Sequence, residues 1–314
     1  MGFWTAWARR PHTTLARKIS FQLHLWVGLA AGLYVVMLSI TGSALVFRRE
    51  LDRAFSPRRP AFDEARQVLP EEALADAARR AYPGYTVAGV GGVERRSPVV
   101  RISLVRGPDT IQRLFNAYSG EDLGDPSPWL ARALLWTADL HDDLLVVDGG
   151  RGRYWNGIGS LLVTLLCITG AVVWWRGVSG WARGMIVNWR APWPRLNFDL
   201  HSATGFWFFG MIAIWAVSGI YLAFPDPFSR AVDWIWGEDL SSYPRPGDVA
   251  LEWLVRLHFG RWRSHTLKAV WVVIGLVPAV MFATGFAMWW FRVVRGPAKA
   301  GHYVRSGAAL EEGT

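Results

Sequence analysis

Four long apolar stretches constrain this chain more than any other feature: Phe21 to Phe47, Trp155 to Trp175, Phe198 to Phe224 and Val270 to Phe291. A helix crossing the hydrocarbon of a bilayer needs about 20 consecutive, mainly apolar residues. Each stretch reaches that length, and Asp199, one residue into the third, is the only Asp, Glu, Lys or Arg among them. A soluble protein would have to bury four such helices on every side, so the stretches read as membrane spans in a lipid bilayer. The first is read as a retained span and not as a signal peptide. Its 27 residues exceed the roughly 7–15 of a signal core, and no small-x-small cleavage site follows.

Charge then assigns the sides. The formal net charge is +9, which raises the question of nucleic acid, but placement answers it. Twelve of the 34 basic residues fall in three segments that share one side: Arg9, Arg10, Arg17 and Lys18; Arg176, Arg183, Arg190 and Arg195; Arg292, Arg295, Lys299 and Arg305. Only Glu311 and Glu312 offset them there, whereas the other side holds 22 basic and 22 acidic residues. The positive-inside rule makes both termini and the 176–197 loop cytoplasmic, against the local pull of Arg48, Arg49, Arg151 and Arg153. The expected organisation is a cytoplasmic tail (1–20), span one (21–47), an outer domain (48–127), an interfacial helix (128–154) and span two (155–175). A cytoplasmic loop (176–197), span three (198–224), an outer loop with its own interfacial helix (225–269), span four (270–291) and a tail (292–314) complete it. No phosphate loop or dinucleotide fingerprint is present, and no nucleic-acid partner is expected.

The first outer loop is long enough to fold. Leu69 to Tyr82 opens on Pro-Glu-Glu with helical spacing and stops at Pro83-Gly84. Tyr85 to Val90, Pro98 to Val105 and Ile111 to Tyr118 read as short strands between turn residues. A helix on a small antiparallel sheet follows, an α+β domain carried by an all-α membrane bundle. Pro128 to Val147 and Val249 to Phe259 are amphipathic and suit helices lying on the membrane surface.

The chain is internally duplicated. Spans one and three align without gaps, pairing Leu23/Leu200, His24/His201, Gly28/Gly205, Gly42/Gly219 and Phe47/Phe224. Spans two and four share Thr169-Gly170 and Thr284-Gly285 before Trp174-Trp175 and Trp289-Trp290, and each is preceded by Leu-His (Leu140-His141, Leu257-His258). Parallel repeats of this kind imply a pseudo-two-fold axis along the membrane normal. Four of the seven histidines thus occupy equivalent places: His24 and His201 at the cytoplasmic face, His141 and His258 at the outer face.

A lone interfacial histidine is ordinarily a satisfied polar residue, but paired recurrence at membrane depth points to ligation. Two imidazoles facing each other across a bundle are a common way to hold haem iron. Gly28 and Gly205, one turn on, would let a flat macrocycle approach the backbone. Zinc or copper fits less well, since two histidines with no nearby cysteine leave a set of four incomplete. Cys167, the single cysteine, excludes a disulfide and the Cys-x-x-Cys-His haem attachment, and reads as a small core residue. His12 and His302 lie in polar tails; His265 has no repeat partner and is the alternative to His258. Asp139, Asp142 and Asp143 could orient His141 or bind a cation, although a solvated acidic face is the simpler reading.

These pieces, in order, resemble the PepSY-associated transmembrane family of iron-regulated inner-membrane proteins. The resemblance rests on Leu23-His24-Leu-Trp-Val-Gly28, Ile40-Thr41-Gly42, Leu140-His141, Leu200-His201, Leu257-His258-Phe-Gly260 and both Thr-Gly-x-x-x-Trp-Trp endings, and covers about residues 15 to 295. The outer loop is similar to a PepSY domain through Glu71 to Tyr85 and Phe115-Asn-Ala-Tyr118-Ser-Gly120-Glu-Asp-Leu-Gly124, with Asn116 and Ala117 in place of Asp-Pro and Ser119 in place of Thr. The resemblance implies a di-haem reductase of ferric siderophores with two b-type haems (heme b) on His24, His201, His141 and His258. Its acceptor would be a ferric siderophore or other ferric chelate, and its donor a quinol or a flavoprotein. Two other classes compete. One is a non-redox module whose PepSY-like domain binds an envelope protein or peptidase. The other is a small-molecule transporter, favoured by the repeats but weakened by uninterrupted spans without midplane polar groups.

Overall fold

The computed structural model describes residues 7, 14–92, 97–146, 148–178, 180–237 and 243–294. His12 and His302, the basic residues Arg9, Arg10, Arg295, Lys299 and Arg305, and the acidic Glu311 and Glu312 lie outside them. The chain forms two units, one of residues 1–46 and 137–314 and one of residues 47–136.

The first unit is the helical bundle. Its long helices are α1 (Leu15–Leu45), α5 (Arg151–Trp174) and α6 (Trp193–Ala223), with α9 (His265–Gly275) and α10 (Val277–Val294) forming the fourth span. All four are long and apolar enough to cross a membrane. What they bury is mostly small: Ala31, Gly32, Ser39, Thr41 and Ser43 on α1, Gly157, Gly159, Ser160 and Thr169 on α5, Ala203, Ala216 and Ser218 on α6, beside the larger Asn197 and Asp199 of α6, Lys268 of α9 and Val277 of α10. The large side chains face outward, among them Leu33, Ile168, Trp207 and Val273. In lipid, association gains nothing from hiding leucine, so small residues that allow close backbone approach make the contacts. Helix α1 packs on α5 and on α9–α10, and α6 packs on α5 and α10, so the first and third spans stand diagonally across the bundle.

The fourth span is interrupted, against the expectation of an unbroken helix. Pro278 has no N–H to give, and the Leu276 N–H turns back to Val273 and Ile274. The Ser39 hydroxyl of α1 occupies the gap, donating to the Gly275 carbonyl (2.5 Å) and accepting the Ala279 N–H (3.3 Å). Ser43, one turn on, donates to the Val272 carbonyl (3.2 Å). A side chain inserted into the ladder is an ordinary cause of a helix break.

Three shorter helices belong to the bundle unit: the end of α4 (Trp129–Asp143), α7 (Pro225–Trp236) and α8 (Pro246–Phe259). Helix α7 was not expected. It carries exposed Trp234, Ile235 and Trp236, the composition of a helix lying at an interface.

The second unit holds α2 (Arg48–Phe55), α3 (Glu71–Ala81) and an antiparallel meander of β1 (Thr86–Val90), β2 (Val99–Arg106), β3 (Asp109–Asn116) and β4 (Asp122–Gly124). Val100, Ile102 and Leu104 on β2 oppose Phe115, Arg113 and Ile111 on β3 and share one face by the period-two rule. Leu74 and Ala78 of α3 close over that face, and the cluster with Phe115 and Ala117 is fully buried. The β2–β3 loop has two residues, and its first, Gly107, adopts φ 59°, which a side chain would resist. The fourth strand, three residues long, extends the three that were expected.

Asp122 of β4 accepts from Arg113 (2.7 Å) and from the Tyr82 hydroxyl (2.5 Å). Burial alone would raise the Asp122 carboxyl, but Arg113 and Tyr82 hold it below the ordinary carboxylate value, while burial and Asp122 push the Tyr82 hydroxyl up to about 12. Because the folded pKa is depressed, the contribution is whole above the unfolded value of about 3.9 and is lost as pH falls through the folded one. Thermal melts of this unit's signals between pH 6 and 2.5 should therefore show an acid-side loss that Asp122→Asn reduces. An unchanged profile in that variant would show that the triad does not stabilise the fold.

Two histidine pairs as a candidate cofactor site

The four repeat-equivalent histidines meet in two pairs. His24 of α1 and His201 of α6 face each other with ring centres 6.3 Å apart and planes at 79°. His141 of α4 and His258 of α8 do the same at 6.4 Å and 65°. Thr41, which touches His141, lies seventeen residues after His24 on α1, so at 1.5 Å per residue the pairs are about 25 Å apart along the bundle. No two members of different pairs can share an ion at that separation.

Each ring leans on a neighbouring helix through Nδ1. His24 Nδ1 lies 3.2 Å from Thr169 Oγ1 and 3.1 Å from the Leu166 carbonyl of α5. His201 Nδ1 is 2.9 Å from Thr284 Oγ1 of α10. His141 Nδ1 is 2.8 Å from Thr41 Oγ1 of α1, and His258 Nδ1 is 2.6 Å from Ser218 Oγ of α6. The arrangement obeys the repeat: His24–Thr169 maps to His201–Thr284, and His141–Thr41 to His258–Ser218.

Other glycines admit the imidazole rings themselves. A Cβ on Gly42 would stand 2.9 Å from His141 Cε1, one on Gly170 3.0 Å from His24 Cε1, and one on Gly285 3.3 Å from His201 Cε1. Gly28 and Gly205 face Leu166 and Met281 instead. The useful signal was the Thr-Gly or Ser-Gly dipeptide on every span, which repeats as regularly as the histidines.

The helices that carry His141 and His258 are pinned from the spans. Asn156 of α5 donates to the His141 carbonyl (2.7 Å) and the Asp142 carbonyl (3.0 Å), and receives the Tyr34 hydroxyl (2.6 Å). Its repeat counterpart, Trp271, donates to the Leu257 carbonyl (3.0 Å). Burial drives the His141 imidazolium down to about 4; burial, with His141 opposite, drives that of His258 to about 3. Both are therefore neutral at pH 7, the state that ligates metals.

The residue family is now plain. A family model described as the PepSY-associated TM region matches residues 21–246 and, again, 238–292. The chain belongs to that family. Comparison with curated proteins found no match.

Within this PepSY-associated bundle, the separation of each histidine pair leaves room for one metal ion between the two imidazoles. Two metal–nitrogen bonds of about 2 Å each, with roughly 1 Å from each nitrogen to its ring centre, place the centres about 6 Å apart. Both pairs meet that requirement, and both offer glycine beside the rings. His265 is exposed at the start of α9, and Cys167 is half-buried within α5. Asp143 faces Arg153 (3.6 Å), exposed Asp139 uses its carbonyl to hold the Leu145 N–H (3.2 Å), and His141 bonds Thr41. Among the described residues no cluster of three or more His, Cys, Asp or Glu is placed to hold a metal ion.

Gly42→Ala and Gly170→Ala should each displace one ring and cost about 1–3 kcal/mol by overpacking, whereas Gly28→Ala meets Leu166 only at 3.7 Å and should be tolerated. Histidine side-chain NMR would check this. His141 signals that stay in place in Gly42→Ala would mean the ring is not seated on that glycine.

Proposed function

We propose that this chain is a di-haem electron-transfer protein of a bacterial inner membrane, a ferric-chelate reductase of the ferric-siderophore type used in iron acquisition. The reading is carried by one observation: two histidine pairs, each with the separation that one bridging iron requires, at opposite ends of a membrane bundle. His24 with His201 would hold one b-type haem and His141 with His258 the other. Bound there, such a group supplies one-electron redox chemistry, which suits a substrate that takes a single electron from Fe(III) to Fe(II).

The chain's residues prepare that chemistry. The His141 and His258 imidazoles are neutral, so ligation does not wait on a proton. Between the pairs, Phe282 lies on Gly32 and Tyr34 on Gly159, lining the interior with aromatic rings. Arg17, Lys18, Arg176, Arg183 and Arg195 crowd the His24/His201 end, which supports reading it as the cytoplasmic one, where a quinol or a flavoprotein would donate. The 47–136 unit, a PepSY-like domain on this reading, is then periplasmic.

The break in the fourth span is the observation that favours transport. Yet the Ser39 hydroxyl fills it and bonds the freed backbone groups, whereas a transport site would leave them lining a cavity.

A pyridine haemochrome assay on the purified protein should give two haems per chain. His24→Ala or His201→Ala should remove one, and His141→Ala or His258→Ala the other, with reduction of an external ferric chelate lost in all four. Folded but colourless protein would sink the reading and favour a non-redox module. His265→Ala should keep both haems. Reporter fusions at Asp125 and Gly184 should give opposite signals, periplasmic and cytoplasmic respectively; reversed polarity would exchange the faces and the direction of flow.

A further inference from the structure

We infer that Thr41, Thr169, Ser218 and Thr284 are positioning residues that lock each histidine as its Nδ1–H tautomer and thereby present Nε2 to the cofactor. The cofactor half of this inference rests on the haem reading; the tautomer half does not.

The argument is a count of protons. A hydroxyl has one hydrogen to donate and two lone pairs. Each of these four spends its hydrogen on the carbonyl four residues back in its own helix: Thr41 on Met37 (2.8 Å), Thr169 on Leu165 (2.7 Å), Ser218 on Ile214 (2.7 Å) and Thr284 on Val280 (2.8 Å). The oxygen then faces its imidazole with lone pairs only. With the hydrogen spent on the carbonyl, the bond at 2.6 to 3.2 Å requires the proton on Nδ1. His24 reaches the same answer independently, because the Leu166 carbonyl beside its Nδ1 is an acceptor and nothing else. A neutral ring protonated at Nδ1 has its lone pair on Nε2, the nitrogen farthest from the hydroxyl.

The adjoining glycine completes the cradle at three sites. Gly42, Gly170 and Gly285 follow their hydroxyl residue directly, and each lets the ring's Cε1 close on the helix. Gly219, after Ser218, departs from the pattern: its open side meets the Ser160 hydroxyl. The dipeptide thus bonds one ring atom and makes room for the next, fixing both tautomer and tilt. All four acceptors are uncharged, so none pulls its ring toward imidazolate, as a carboxylate in that place would.

The test pairs two readouts on the full-length protein in lipid nanodiscs. Side-chain ¹⁵N NMR of labelled histidine should show Nδ1–H at all four rings in the wild type. Thr41→Val, Thr169→Val, Ser218→Ala and Thr284→Val should each lose that signature at one ring and weaken haem retention about 10–100-fold at that end alone. The midpoint potential of that haem should shift too. Thr→Ser at 41, 169 and 284, and Ser218→Thr, should restore wild-type behaviour. Nε2–H in the wild type would overturn the inference, as would hydroxyl-free variants with unchanged haem retention, spectrum and potential. Haem-free protein with four Nδ1–H rings would instead support the lock and overturn the haem reading.

Discussion

A bilayer offers a buried polar atom no water, so every such atom on a span must find its partner inside the protein. That requirement organises the bundle. Each hydroxyl of Thr41, Thr169, Ser218 and Thr284 is held twice, by its own helix and by an imidazole from elsewhere. Ser39 and Ser43 give their hydrogens to carbonyls of the fourth span, and Asn197 gives one to the Thr284 carbonyl (2.9 Å). These bonds connect different helices, and they replace the hydrophobic force that lipid removes. The histidines can pack against the spans because Nδ1 of each already has its partner.

The spans and the histidines were legible in the sequence because both depend on long or repeated patterns. Twenty apolar residues in a row cannot be mistaken for much else, and a residue that recurs at one place in two repeats marks itself. The pairing of His24 with His201 and of His141 with His258 followed from the duplication together with the topology, which sorts the four to opposite ends of the spans. Features set by one or two residues were not legible. Strand β4 is three residues, Asp122–Gly124, too short to show alternation. Helix α7 starts with Pro-Asp-Pro, which reads as a turn, although proline suits the first turn of a helix equally well. Pro278 lies in an apolar run where a proline can be tolerated, and only Ser39, 239 positions away, decides what becomes of it. The hydroxyl–glycine cradle was present as Thr-Gly in plain view, but its meaning depends on which helix stands opposite.

Glycine illustrates the same limit. Gly28 and Gly205 were attractive because they follow a histidine by one turn on the same helix, the neighbourhood a linear reading can see. The structure directs those glycines toward Leu166 and Met281, and brings Gly42, Gly170 and Gly285 to the rings from other helices. Close approach is a property of two surfaces, and one strand of sequence shows only one of them.

Neither half of the duplication contains a complete pair. His24 and His141 come from the first half and His201 and His258 from the second, so each pair joins the halves across the pseudo-two-fold axis. Two separate copies of a two-helix unit would make such contacts as an isologous dimer, with every residue bound to serve in two settings at once. Covalent duplication removes that bond, and the departures from symmetry fall where the freedom has been used. Asn156 and Trp271 both donate into a helix that carries one of the paired histidines, one through an amide to two carbonyls and the other through an indole to one. Ser39 interrupts the fourth span, while its counterpart Ala216 leaves the second without a side chain to insert. The histidines, their hydroxyl partners and the ring separations keep the symmetry; the supports around them do not.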